Sequence, residues 1–155
     1  KWLALYDKFQ EIPEIDLIGL SILSIPRCFG SFKGPETKKN KYEHNDREIT
    51  SSRIECLKEL LKRNNNHKKV HLLGLGDSYE DIIFAQKNCP FVYSNDTSSA
   101  FQNGLFGKKI EGENLEIEGG KTKEKVDFNL KEITKEQEKL IQNNINNIKL
   151  KLCAN

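Results

Sequence analysis

The chain has no C-x-x-C or C-x-C pair, no long apolar run and almost no net charge, and each absence removes a class of function. Its four cysteines, Cys28, Cys56, Cys89 and Cys153, stand far apart, so zinc knuckles built on paired thiolates are not expected. No stretch approaches the length needed to cross a bilayer, and no membrane partner is expected. The first residues, Lys1-Trp2-Leu3-Ala4-Leu5-Tyr6, form a short amphipathic run that soon turns charged. That suits a helix better than the apolar core of a signal peptide, so a reduced, cytoplasmic setting is the expectation. The net charge is only +2, so any nucleic-acid binding must come from a local patch and not from bulk charge. No internal repeat is visible.

What remains is 155 residues, 36% hydrophobic and 31% charged, enough for one domain with a real core. Trp2, Leu5, Tyr6 and Phe9 lie at helical spacing, and Pro13 ends that helix. Ile15 to Leu23 is a nearly continuous apolar run of strand length, as buried parallel strands are. Ser24 to Asn45 reads as a long loop. Thr50-Ser51-Ser52 can cap a helix from Arg53 to Arg63 whose inner face is Ile54, Leu57, Leu60 and Leu61. A second strand, Val70 to Gly76, follows Asn64-Asn65-Asn66. Ser78 then caps a helix from Tyr79 to Lys87, and Pro90 to Ser94 is a third strand ending at Asn95-Asp96. Thr97 to Phe106 begins as a helix and is interrupted at Asn103-Gly104.

Strands alternating with helices signal βαβ units and a parallel sheet. The alternation covers residues 1–110. Residues 111–133 read as a charged hairpin or linker, and residues 134–152 as a C-terminal surface helix packing on the rest. A closed barrel needs eight strands in about 250 residues. The expected fold is therefore α/β, the C-terminal portion of a (β/α)8 TIM-type barrel, with the rest of the barrel supplied from outside this sequence.

In α/β folds, sites form where strands end. The first strand carries Gly19-Leu20-Ser21, the second ends in Gly74-Leu75-Gly76-Asp77, and the third in Asn95-Asp96-Thr97-Ser98-Ser99. Glycine there lets a flat ligand approach the backbone, or simply permits a tight turn. The third glycine of a dinucleotide fingerprint is missing, which disfavours a Rossmann domain. Asp96 is either a helix cap or a carboxylate poised as a nucleophile. Arg27, Lys33, Lys38, Lys39 and Lys41 make the loop after the first strand basic, either as a solvated run or as a grip on phosphates. His44, His67 and His71 are scattered, and His71 in its apolar strand is expected to be a satisfied core histidine.

Val70 to Gly76, a helix containing Ala85, and then Phe91 to Phe101 together resemble the last two strand units of tRNA-guanine transglycosylases. In that family a strand ending in a Gly-x-Gly turn is followed, one helix later, by an apolar strand ending in Phe-Asp-Ser or Phe-Asp-Cys. Ile15 to Ser21 resembles the preceding strand, whose Gly-Leu step lies against the base. Ser24-Ile25-Pro26-Arg27 points to the phage and bacterial branch that inserts 7-deazaguanines into DNA. The resemblance spans residues 15 to 106.

It implies that Asp96 attacks the sugar C1′, releases guanine and forms a covalent intermediate that the incoming 7-deazaguanine base resolves. Gly74 and Gly76 would floor the base pocket, and Gly19 with Leu20 would offer backbone groups to the base edge. The implied partners are nucleic acid, DNA or tRNA, and another chain or segment carrying the first half of the barrel, with its acid/base aspartate. The implied location is the cytoplasm, the host's if the gene is a phage's. Two departures from the family pattern stand out. The zinc site of the RNA enzymes has no Cys-rich counterpart here, so no metal or other cofactor is expected, and the first half-barrel is absent. Two other readings remain: a non-catalytic nucleic-acid-binding subunit, and an unrelated TIM-barrel enzyme with a phosphate site at its last strand ends.

Overall fold

Helical spacing of its aromatic residues forms the first element, α1 (Trp2–Glu11), which turns Tyr6 fully inward. The helix ends two residues before Pro13, whose ring cannot supply the next helical N–H. Three short strands follow along the chain: β1 (Leu17–Ser21), β2 (Lys69–Leu73) and β3 (Val92–Asp96). Between them lie α2 (Asp46–Leu61) and α3 (Glu80–Asn88). After them come α4 (Ser99–Leu105), β4 (Ile110–Glu111), β5 (Glu116–Ile117) and α5 (Lys135–Leu152). The computed structural model describes residues 2–22, 46–63, 66–76, 78–120, 122, 124, 126 and 132–153. The basic residues Arg27, Lys33, Lys38, Lys39 and Lys41 lie outside them, as do Cys28, His44, Asn64, Asn65 and Asp77.

The first three strands form a parallel sheet in the order β1-β2-β3. Ile18, Val70 and Val92 are in register, as are Gly19, His71 and Ser94. A shift between Val70 and His71 leaves Tyr93 as an extra residue in β3. Parallel pairing with intervening helices is the α/β class that the alternation of runs predicts.

Side chains alternate across a strand, and here the alternation divides the sheet into two unlike faces. Ile18, Leu20, Val70 and Leu72 point to one side, into a core shared with Tyr6 of α1, Leu57 and Leu60 of α2, and Ile82, Ile83 and Ala85 of α3. The other side carries Leu17, Gly19, Lys69, His71 and Leu73, and no described element packs over it. Leu17 is 46% exposed and Leu73 40%. Among the described residues, β1 and β3 each pair on one side only.

Several boundaries differ from the sequence expectation. The second helix begins at Asp46, so Thr50, Ser51 and Ser52 sit inside it and do not cap it. Its buried residues are Ile49, Thr50, Ser52, Arg53, Cys56, Leu57 and Leu60, with Leu61 exposed. Arg53 is the cause: a charged side chain, fully buried, turns the helix by part of a turn from the face its leucines suggest. Gly74 and Gly76 lie in the turn after β2, not in the strand. Tyr79, not Ser78, is the N-cap of α3.

The stretch after β5 leads to α5, capped reciprocally at its start. Thr134 Oγ1 accepts from the Gln137 N–H at 3.2 Å, and Gln137 Oε1 accepts from the Thr134 N–H at 2.8 Å. Helix α4 runs unbroken through Asn103-Gly104 because α5 crosses it there. A Cβ on Gly104 would lie 2.5 Å from Ile141 Cγ1 and 2.9 Å from the Ile141 backbone. The glycine sets the distance between the two helices.

Asn144, buried in the middle of α5, serves as a substitute strand for β4. Its Oδ1 accepts from the Ile110 N–H at 2.9 Å, and its Nδ2 donates to the Lys108 carbonyl at 3.0 Å. One turn on, Asn147 Nδ2 donates to the Ile110 carbonyl at 2.9 Å. Ile110, Leu115 and Ile117 of the β4–β5 hairpin join the same core as the sheet.

Candidate functional site

The carboxyl end of β2 is shaped by a buried ion pair. Arg53 Nε meets Asp81 Oδ2 with both side chains fully inaccessible. The remaining guanidinium nitrogens donate to the Leu73 carbonyl at 3.1 Å and the Gly74 carbonyl at 2.9 Å. Burial pushes the Asp81 carboxyl up, and the guanidinium beside it pulls it back down. Arg53 thus holds the turn in which Gly74 adopts a φ of +75°, a conformation that favours glycine.

That turn aims the Gly74 N–H at Asp96, the last residue of β3. Asp96 Oδ1 accepts from it at 3.0 Å and from His71 Nε2 at 3.2 Å. The second ring nitrogen, Nδ1, lies 2.8 Å from Ser94 Oγ. Ser94, His71 and Asp96 therefore form a hydrogen-bonded chain across β2 and β3 on the open face. The Gly74 N–H first, and then His71, hold the Asp96 carboxyl below the ordinary carboxylate range. The carboxylate is 61% exposed, so solvent screens its charge. An exposed aspartate is ionised at neutral pH in any case, and these donors extend that state to lower pH.

Of the two sequence readings of Asp96, capping is not what the fold uses. The N-cap of α4 is Ser98, and the Ser99 N–H donates to Thr97 Oγ1. The Asp96 carboxylate turns to the sheet instead. The structure does bring Asp96 and Gly74 together, and it sets Gly19 beside His71 in the register. Gly19 has a packing reason for its bareness: a Cβ there would lie 2.8 Å from Leu73 Cδ1. Leu20 is fully buried on the helix-covered side, so only its backbone lies at the strand. Gly74 uses its N–H for Asp96 and its carbonyl for Arg53, and a Cβ there would lie 2.9 Å from Ile22 Cγ2. Gly76 is buried in the turn.

His71 is not the core histidine that its apolar neighbours suggest. Its side chain is 19% exposed and faces the open side. The pattern Lys69-Val70-His71-Leu72 alternates polar and apolar, and that alternation was the available signal. Ser94, Arg53 and Asp81 gave no such signal. On the same face the Lys69 ammonium sits 4.5 Å from the centre of the Tyr93 ring.

Cys56 and Cys89 are buried, and burial pushes the Cys89 thiol up to about 11. Among the described residues, no group of three or more His, Cys, Asp or Glu could hold a metal ion. No described helix is long and apolar enough to cross a membrane. A groove of about 310 Å³ follows the free edge of β3, between Leu72, Val92 and Tyr93 on one side and Leu152 on the other. A larger hollow of about 450 Å³ lies at Glu111, Asn147 and Leu150, away from the strand ends. No protein-family model, no curated protein and no solved structure matches this chain.

Proposed function

We propose that the chain is the C-terminal portion of a β/α barrel and that Asp96 is the nucleophile of a base-exchange transglycosylase acting on guanine in nucleic acid. One observation carries the reading: an ionised carboxylate at the carboxyl end of a parallel sheet, held by a glycine turn, on a face that nothing described here covers. In a β/α barrel the helices lie outside and the bare side of each strand faces inward. The exposed Leu17 and Leu73 and the one-sided pairing of β1 and β3 support the same reading.

In the proposed reaction Asp96 attacks C1′ of the nucleoside. The C1′–N9 bond breaks, its electron pair leaves with the guanine, and a bond forms from Asp96 to C1′. A 7-deazaguanine base then attacks C1′ from the opposite side and returns the electron pair to the carboxylate. Both hydrogen bonds fall on Oδ1, so Oδ2 is the oxygen assigned to attack. Two displacements retain the configuration, as in retaining glycosidases. The strand ends at Gly19 and Gly74, flanked by the Leu73 and Ile22 side chains, would lie near the base, and Arg27, Lys33, Lys38, Lys39 and Lys41 would contact the phosphates. The acid/base group that protonates the departing guanine, and then takes the N9 proton of the incoming base, would come from the completing half of the barrel.

The test is exchange of labelled guanine in DNA and in tRNA by the protein with its barrel completed. Wild type should exchange, and Asp96→Asn should lose at least a thousandfold in rate, as loss of a covalent nucleophile does. Full exchange by the variant would overturn the assignment.

A further inference from the structure

Hydrogen-bonding rules fix the direction of the chain Ser94–His71–Asp96. An ionised carboxylate can only accept. His71 Nε2, 3.2 Å from Asp96 Oδ1, must therefore carry the proton. In the neutral ring Nδ1 is then an acceptor, and the Ser94 hydroxyl, 2.8 Å away, must donate to it. The carboxylate thus sets the tautomer, and the Ser94 hydroxyl, able to donate or accept, fixes the ring's orientation by donating to Nδ1. Gly74 places a second donor, a backbone one, on the same oxygen.

Two donors on one carboxylate oxygen do not act equally on the two halves of a double displacement. They stabilise the full negative charge of the free carboxylate more than the neutral ester of the sugar–enzyme adduct. In the first step that charge is consumed, and the donors give no help. In the second step the charge returns as the C1′–Oδ2 bond breaks and its electron pair goes back to the carboxylate. The donors then stabilise the departing group.

From this geometry we infer that His71 is a positioning residue, oriented by Ser94 and donating through its Nε2–H, that makes Asp96 a better leaving group and so speeds breakdown of the sugar–enzyme intermediate. The inference rests on Asp96 being the nucleophile. It assigns His71 and Ser94 to the second half-reaction, in which the incoming base attacks C1′, and not to the first.

The experiment follows the adduct in the completed enzyme by rapid quench and denaturing electrophoresis. His71→Phe should form it at an undiminished rate but break it down roughly tenfold more slowly, the effect of one hydrogen bond to a charged group. The adduct should then accumulate at steady state. His71→Gln, whose amide N–H reaches toward the position of Nε2, should restore much of the breakdown rate, and Ser94→Ala should fall between the two. Equal adduct lifetimes in wild type and His71→Phe would overturn the inference and leave the nucleophile assignment standing. Absence of any adduct in wild type would overturn both. A second measurement needs no substrate and no variant: the ring 15N shifts of His71 in the full chain at neutral pH. The Nε2–H tautomer supports the inference, and an Nδ1–H tautomer overturns it.

Discussion

Replacing Arg53 with methionine removes a side chain that joins α2, α3 and the turn after β2. The change leaves the Asp81 carboxylate buried without its counter-charge, which costs about 3–5 kcal/mol. It also leaves the Gly74 carbonyl without its side-chain donor. The Leu73 carbonyl suffers less, because it also accepts from the Ile22 N–H at 3.0 Å. Against a domain stability of about 5–15 kcal/mol, the single variant should be close to unfolding. The double variant Arg53→Met, Asp81→Leu should recover most of the loss, since a buried pair replaced by apolar groups is often neutral. Only the Gly74 carbonyl then stays unpaired, at about 1–2 kcal/mol. Urea unfolding at pH 7 of wild type, both singles and the double gives the recovery from Arg53→Met to the double, expected at about 2–3 kcal/mol, and a coupling larger than that by the cost of Asp81→Leu alone. The pH dependence has a definite sign. Burial already raises Asp81, and a raised folded-state pKa gives stability that is present at low pH and lost as pH rises through it. Without Arg53 that window moves to higher pH, so the single variant should regain stability on acidification. Additive losses across the cycle, or an Arg53→Met variant within 1 kcal/mol of wild type, would refute the reasoning.

Three further outcomes follow from the same contacts. Asn144→Ala strands the buried Ile110 N–H and should destabilise the chain by about 2–3 kcal/mol, read by chemical denaturation. Gly104→Ala gains roughly 1 kcal/mol of helix propensity but forces a methyl group into the Ile141 backbone. Overpacking costs about 1–3 kcal/mol, so its Tm should fall. The Asp96 carboxyl, held low by Gly74 and His71, contributes stability above its unfolded pKa, and that contribution is lost as pH falls through the folded value. In a 13C titration, His71→Phe should move the Asp96 midpoint upward, toward an ordinary aspartate.

The order of strands and helices was legible because buried parallel strands are short apolar runs and Gly, Pro and Asn separate them. Asp96 and the Gly74 turn were legible for the same reason: both mark strand ends. Arg53 was not, because its partner Asp81 is 28 residues away and a lone arginine in a helical stretch normally faces water. Once it is buried, the helix face rotates, and Thr50 and Ser52 change from a supposed cap into interior residues. Gly104 looked like a helix break because close packing against Ile141 of α5, far along the chain, is not written locally. His71 was misplaced because its strand was taken as buried on both sides. A sheet with one open face gives a half-polar strand, and Lys69 and His71 are its polar half.

The central claim is that Asp96 bonds covalently to the sugar. The direct measurement is peptide mass spectrometry of the completed enzyme, trapped by denaturation during turnover on a short guanine-containing oligonucleotide. A nucleotide-bearing peptide is expected, with fragmentation placing the added mass on Asp96, and it should be absent in Asp96→Asn. An adduct on any other residue, or the same adduct in the variant, would contradict the claim.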